Sequence, residues 1–426
     1  MLELLASASG GFDVETATRA YLDTLQGPAR AQSDAYFEGG YWLILWGTLV
    51  GILADWLLLR LGLMNAFRNL GERVSKHRWL VTWITALLYT LVGWVITLPW
   101  TIYTGFLRER QYDLMSQSFG GWLGETLTGF AISLVLVPLL IAAVYAVIRR
   151  APRTWWVWAT GIVGVFLLIG VVLAPVFIAP LFNDYTEMEA GPLRDKIEAV
   201  AVKEGIPADH IYVFDASKQT KRISANVSGL GPTIRISLND NLLERTSEPE
   251  ILAVMGHEMG HYKLGHVWVL AGGFLLIALA GLFMTSRIAP WLIRRYGARW
   301  GVRDLADPAS LPVLGICLAV FFFLATPLTN TLVRMNESQA DAFGLDAARE
   351  PDGFAKVAMR LSEYRKIEPG PLEEALFFDH PSGRTRVHMS MEWKAKNVAD
   401  PEIVRPEPGY LDTTEDTIKN EAAAKP

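Results

Sequence analysis

Six long apolar runs restrict the fold of this 426-residue chain more than any other feature. They extend over approximately Tyr41 to Leu59, Trp79 to Leu98, Gly129 to Ile148, Trp155 to Leu173, Val267 to Thr285 and Leu311 to Leu328. A helix needs about 20 apolar residues to cross a bilayer core, where every backbone N–H and C=O must find its partner inside the segment. Each run is close to that length. A soluble domain seldom holds six such uncharged stretches, and with 51% hydrophobic against 19% charged residues the chain reads as an integral membrane protein. Trp and Tyr at the run ends (Tyr41, Trp42, Trp79, Trp100, Trp155, Trp156) fit interfacial belts. Asp55 is the one acid well inside a run, so it faces either a water-filled cavity or the solvated interface.

The runs divide the chain. A polar segment, 1–40, has no basic start or span-length apolar core and does not read as a signal peptide. A four-span region follows at 41–182, then a mainly polar region at 183–266, two spans at 267–330, a second polar region at 331–399 and a Pro- and acid-rich loose tail at 400–426. The expected fold is a predominantly α membrane protein of about six spans enclosing a chamber, with a small α+β domain formed by the two polar regions. Within them, Leu193 to Glu204 has helical periodicity and Ile211 to Phe214 reads as a strand. Ile223 to Val227 and Thr233 to Leu238, flanking a Gly229 to Pro232 turn, read as a β-hairpin, either an open edge for an extended peptide or simply core. The net charge of −5 and the lack of a basic stripe exclude nucleic acid as a partner. The single cysteine, Cys317, excludes an intrachain disulfide and disfavours a thiolate metal site.

Chemistry enters at His257-Glu258-Met259-Gly260-His261. Pro249 to Leu264 reads as a helix, and residues four apart share a helical face, so both imidazoles can reach one metal ion with Glu258 beside it as a base. A catalytic zinc takes three protein ligands and leaves a position for water, so one more ligand is required. Glu337, in RMNESQADAF after the sixth run, is the best candidate. His266, at i+5 from His261, competes with it but fits better as a helix-end cap or interface marker. Asp341 lies one turn beyond Glu337, where it could orient an imidazole or move a proton.

The ordered set AVMGHEMGHYKLGH, RMNESQADAF and HPSGRTRVHMSM resembles the type I CAAX prenyl endopeptidases, membrane zinc peptidases of the gluzincin type; APVFIAPL and SKQTKRISANVSG are also similar to that family. The resemblance covers about Tyr41 to Met391. It implies one Zn2+ per chain held by His257, His261 and Glu337, with Glu258 as general base and Asp341 as a proton donor or orienter. It further implies that Asn226 contacts substrate backbone and that His380 and Arg386 approach the active site, where two donors would suit a developing oxyanion. The substrate class is then a peptide or membrane-associated protein, lipidated or not, met at the lipid bilayer. A quality-control metalloprotease without prenyl specificity, or a nonenzymatic transporter or scaffold on the same fold, are the alternatives.

The eukaryotic members have seven spans, whereas six are read here, a count that resembles a bacterial, inner-membrane member; the loop before the zinc helix is also short. Arg68, Arg73, Lys76 and Arg78, then Arg149, Arg150 and Arg153, then Arg294, Arg295, Arg299 and Arg303 follow the first, third and fifth runs. The positive-inside rule makes that side cytoplasmic and sends the histidine motif to the opposite side, whereas the family resemblance implies a cytosol-facing zinc domain.

Overall fold

A computed structural model describes residues 12–229, 234–407 and 410–412. The chain opens with α1 (Val14–Leu22), whose N-cap Asp13 accepts from the Thr16 N–H. The long α2 (Gly27–Arg60), short α3 (Leu63–Val74) and α4 (Arg78–Ile102) follow. After a π-helical turn, Tyr103–Leu107, come α5 (Arg108–Gln111), α6 (Phe119–Arg150) and α7 (Trp155–Leu173). Next are β1 (Tyr185–Glu187), α8 (Pro192–Lys203), β2 (Ile211–Phe214), β3 (Ala225–Ser228), β4 (Arg235–Asn239), α9 (Asp240–Arg245) and α10 (Glu248–Lys263). The chain ends with α11 (His266–Trp300), α12 (Leu311–Ala348), α13 (Pro351–Leu361), α14 (Pro371–Phe377) and α15 (Gly383–Asn397).

Six helical stretches of the described residues are long and apolar enough to cross a membrane: α2, α4 with its extension, α6, α7, α11 and α12. Their packing closes on itself, α2 against α4, α4 against α6, then α6 on α7, α7 on α11, α11 on α12 and α12 back on α2. In the most apolar stretch of each span no more than 22% of the residues are buried. A solid bundle would bury one side of every helix. This ring instead leaves much of the apolar surface of its helices unpacked.

Asp55 is neither solvated at the interface nor in a wet cavity. It is buried among α2, α4 and α12, accepts from the Tyr89 hydroxyl at 2.8 Å, and lies against Gly315, where a side chain would collide with its carboxylate. A carboxyl in that setting needs a donor and a gap, and Tyr89 and Gly315 supply them.

The polar regions form one domain around a mixed sheet of order β1-β2-β4-β3. The sequence hairpin is present as the antiparallel pair β3–β4, with Asn226 opposite Ser237; most of its turn, 230–233, lies outside the described residues. β4 also pairs in parallel with β2, so β3 is left as an edge. Ile211, Ile236 and Leu238 from the sheet pack on Ile251, Met255 and Met259 of α10, which fixes the motif helix on the sheet. At its start the Glu250 carboxylate accepts from the Ser247 N–H at 2.8 Å and is paired with the buried Arg360 of α13. Residues 14–22 of the polar N-terminal segment are built into this domain: Tyr21 and Leu22 pack with Met359 and Val387, and the Tyr21 hydroxyl donates to Asp352 at 2.6 Å.

Helix α12 carries the sixth span without a break into the polar domain, where it crosses α10 at backbone contact. A Cβ on Gly344 would sit 2.7 Å from the His257 nitrogen, and one on Gly256 would sit 2.9 Å from the Gly344 carbonyl oxygen. Gly344→Ala therefore must push the two helices apart. The expected cost is about 1–3 kcal/mol, the usual range for overpacking. A thermal midpoint and zinc content equal to wild type would contradict this close approach.

Candidate active site

The i,i+4 spacing on α10 brings the two imidazoles together, with His257 Nε2 and His261 Nε2 3.1 Å apart. Glu337 on α12 faces both: Oε2 is 3.3 Å from His257 Nε2 and Oε1 3.3 Å from His261 Nε2. One ligand atom from each of the three lies within 4.8 Å of the others, a grouping able to hold a metal ion.

The outer nitrogens of the histidines determine what the inner ones offer. Asp341 is fully buried, and its Oδ1 lies 2.7 Å from His257 Nδ1, a close contact outside hydrogen-bond geometry whose charge favours a proton on Nδ1 and so leaves the Nε2 lone pair for the triad. Behind His261 a second histidine does the same. His266 Nε2 is 3.2 Å from Gln339 Oε1, which can only accept, so that nitrogen carries the proton and Nδ1 of a neutral His266 accepts. His261 Nδ1, 2.9 Å away, must then donate, and its Nε2 lone pair also points at Glu337. His266 is thus not a third ligand but a support for His261. It reaches that place because Gly265, in the left-handed conformation at φ +67°, turns the chain sharply between α10 and α11, returning a residue off the histidine face towards it.

The remaining groups surround this triad. Arg386 of α15 is buried and donates from Nε to Asp341 Oδ2 at 2.9 Å and from Nη2 to Glu337 Oε2 at 3.2 Å. Its donors are therefore committed to two carboxylates, an arrangement that positions Glu337 and Asp341 more directly than it serves an oxyanion. The burial of Asp341 and its two partners likewise match the orienting role of the two open to it. His380 has a carboxylate at each ring nitrogen, Asp379 at 2.8 Å from Nδ1 and Glu337 at 3.2 Å from Nε2. Burial draws its pKa down, Asp379 opposes this and Arg365 adds to it. Glu258 makes no hydrogen bond to a described residue and faces the cleft. Its pKa is raised, by burial first and by Glu337, against the pull of His257 and His261.

This site calls for a cation. Burial on its own would lower the pKa of His257, but Asp341, Glu337 and Glu258 outweigh it and lift the value to about 10. A proton on that imidazole answers the same excess of carboxylate charge that a divalent metal would, and the two neutral Nε2 lone pairs and one carboxylate are the donor set zinc prefers. The residues fit the metal. Asn226 is placed apart from this group: it is on the edge strand, one residue past Ala225, which lines the cleft with Ser224, and it makes no hydrogen bond to the triad.

Comparison with known proteins gives matches over nearly the whole chain. Residues 187–394 match peptidase family M48, and residues 23–184 match the CAAX prenyl protease N-terminal region, described as five membrane helices. The chain is 29% identical over 358 residues to the uncharacterized metalloprotease YhfN of Bacillus subtilis, covering 82% of this chain and 84% of that protein. It is 27% identical to the CAAX prenyl protease 1 homolog of Arabidopsis thaliana, covering 78% and 80%. The crystal structure of S. mikatae Ste24p superposes with a TM-score of 0.68 at 20% identity, covering 89% of this chain and 95% of the other, which is a likeness of fold. The chain belongs to peptidase family M48, as a membrane-embedded metalloendopeptidase of the CAAX prenyl protease type.

Proposed function

We propose that the protein is a zinc endopeptidase that hydrolyses peptide bonds in membrane-associated substrates, lipidated C-terminal tails among them. The observation that carries this reading is the convergence of two oriented Nε2 atoms and the Glu337 carboxylate beside a Glu258 that makes no hydrogen bond to a described residue. His257, His261 and Glu337 would hold the zinc; when bound, it supplies Lewis acidity towards the scissile carbonyl and lowers the cost of deprotonating the attacking water. Glu258 then takes the proton from that water on its carboxylate and returns it to the leaving amine, a transfer that its raised pKa favours. In its imidazolium form, with Nδ1–H on Asp379 and Nε2–H towards Glu337, His380 is the donor that would meet the oxyanion. Asp341 and Arg386 hold the ligands. The open edge of β3, with Asn226 on it, supplies backbone groups for an extended peptide.

A neighbouring apolar cavity supports the lipidated class. About 470 Å³ in volume, it is lined by Tyr41, Trp42, Phe323, Leu324 and Phe377, and it shares Tyr41, Ile44 and Phe377 with the cavity that adjoins the cleft. Six spans and a bacterial relative fit a bacterial inner membrane.

The test compares one peptide with and without a prenyl group on its cysteine, using the purified protein with zinc. The prenylated form should be cleaved about tenfold or more faster in kcat/KM, since burying only ~60 Å² of apolar surface is worth about 1.5 kcal/mol. Equal rates would end the lipid-selective reading and favour membrane-protein quality control. A nonenzymatic scaffold is disfavoured by the presence of Glu258 together with every triad residue, and it would leave both peptides intact.

A further inference from the structure

The cleft holds one cation that the chemistry above does not use. Arg365 lies in the segment between α13 and α14 and lines both the catalytic cleft and the adjoining cavity towards the chamber. Its guanidinium makes no hydrogen bond, ion pair or ring contact with any described residue, although a guanidinium carries five donors and is seldom left half-buried without an acceptor. The nearby carboxylates are already taken. Asp379 accepts from His380, and Glu337 faces His257, His261, His380 and Arg386. Burial, and then the Arg386 guanidinium, draws the pKa of Arg365 down, while Tyr364, Asp379 and Glu337 oppose this through space without bonding to the guanidinium. The residue is nonetheless held in place, since its carbonyl oxygen accepts from the Ser33 hydroxyl of α2 at 3.3 Å.

Of the two guanidiniums in the cleft, Arg386 is bonded to two carboxylates and Arg365 to none among the described residues, so the donors open to an incoming anion are those of Arg365. Every peptide carries one anion whatever its sequence: the α-carboxylate at its C-terminus. It would lie in this cleft only when the scissile bond is a few residues from the chain end.

We infer that Arg365 receives the C-terminal carboxylate of the substrate and so directs cleavage to bonds near a free C-terminus. The inference rests on the peptidase reading above. In this geometry Arg365 is a specificity determinant, since its guanidinium meets the chain end and not the reacting atoms. A planar guanidinium pairs with both carboxylate oxygens, which an amide cannot reproduce.

The experiment uses the full-length zinc-loaded protein and a single peptide made with a C-terminal acid or a C-terminal amide. Wild type should prefer the acid by about 10- to 100-fold in kcat/KM, the range for a charge-assisted pair outside bulk water. Arg365→Gln should bring the acid-to-amide ratio close to one, and Arg365→Lys should restore part of it. Because the ratio is taken within each variant, a general loss of folding or zinc cancels. No preference in wild type, or a preference that survives in Arg365→Gln, overturns the inference. If wild type cleaves neither peptide, the peptidase reading itself fails, an outcome distinct from both.

Discussion

Glu258→Gln should retain the zinc and lose about 10²- to 10⁴-fold in kcat, the range spanned by a positioned general base. The exchange is close to isosteric and removes a cleft carboxylate that makes no hydrogen bond or ion pair with a described residue. The three ligand residues, and the Asp341 and His266 contacts behind them, are untouched. Zinc analysis and peptide turnover on the same preparation decide the matter. A Glu258→Gln protein with its metal and full activity would remove Glu258 from the reaction.

Glu337→Ala should have the opposite pattern, with the metal itself lost. Apparent zinc affinities of roughly 10–16 kcal/mol shared among the ligands imply a fall of about 10²-fold or more when one is removed. The local charges add to it. Glu337 is the acceptor for Arg386 Nη2 and lies against the Nε2 atoms of His257, His261 and His380, so its loss removes the carboxylate on which these four groups converge, leaving Asp341 and Asp379 only on their outer sides. Competition with a chelator gives the affinity directly, without reference to turnover. Unchanged affinity would mean that the third ligand is elsewhere.

The parts that could be read from the chain are those governed by local periodicity. Apolar run length marks the six spans, although the helices extend beyond the runs, since polar turns outside the lipid continue the same hydrogen-bonding pattern. The motif helix, expected over Pro249 to Leu264, spans Glu248–Lys263, and the strand Ile211–Phe214 is found where β-branched and aromatic residues cluster. What escaped the reading depends on contacts distant in sequence. The parallel pairing of β4 with β2 has no local signature, because it joins strands separated by β3. Val14–Leu22 reads from the sequence only as part of a polar N-terminal segment, yet Tyr21 and Leu22 fill a core with residues more than 300 positions away. His266 was outside the helical spacing that identifies His257 and His261, and only the left-handed Gly265 explains how it reaches His261. Arg365 carries no motif at all. A single arginine in a loop acquires meaning when every acid around it proves to be occupied.

The closed ring of spans has a consequence for how such an enzyme is kept from damaging its surroundings. A peptidase that grips its substrate through strand-edge hydrogen bonds reads backbone, which all proteins share, and so has little power to refuse a sequence. Six helices packed in a circuit, α12 returning to α2, put a fence around the space beside the cleft. Substrate that enters through this ring would be sorted first by girth, an unfolded tail before a folded domain, and then by the groups in the cleft.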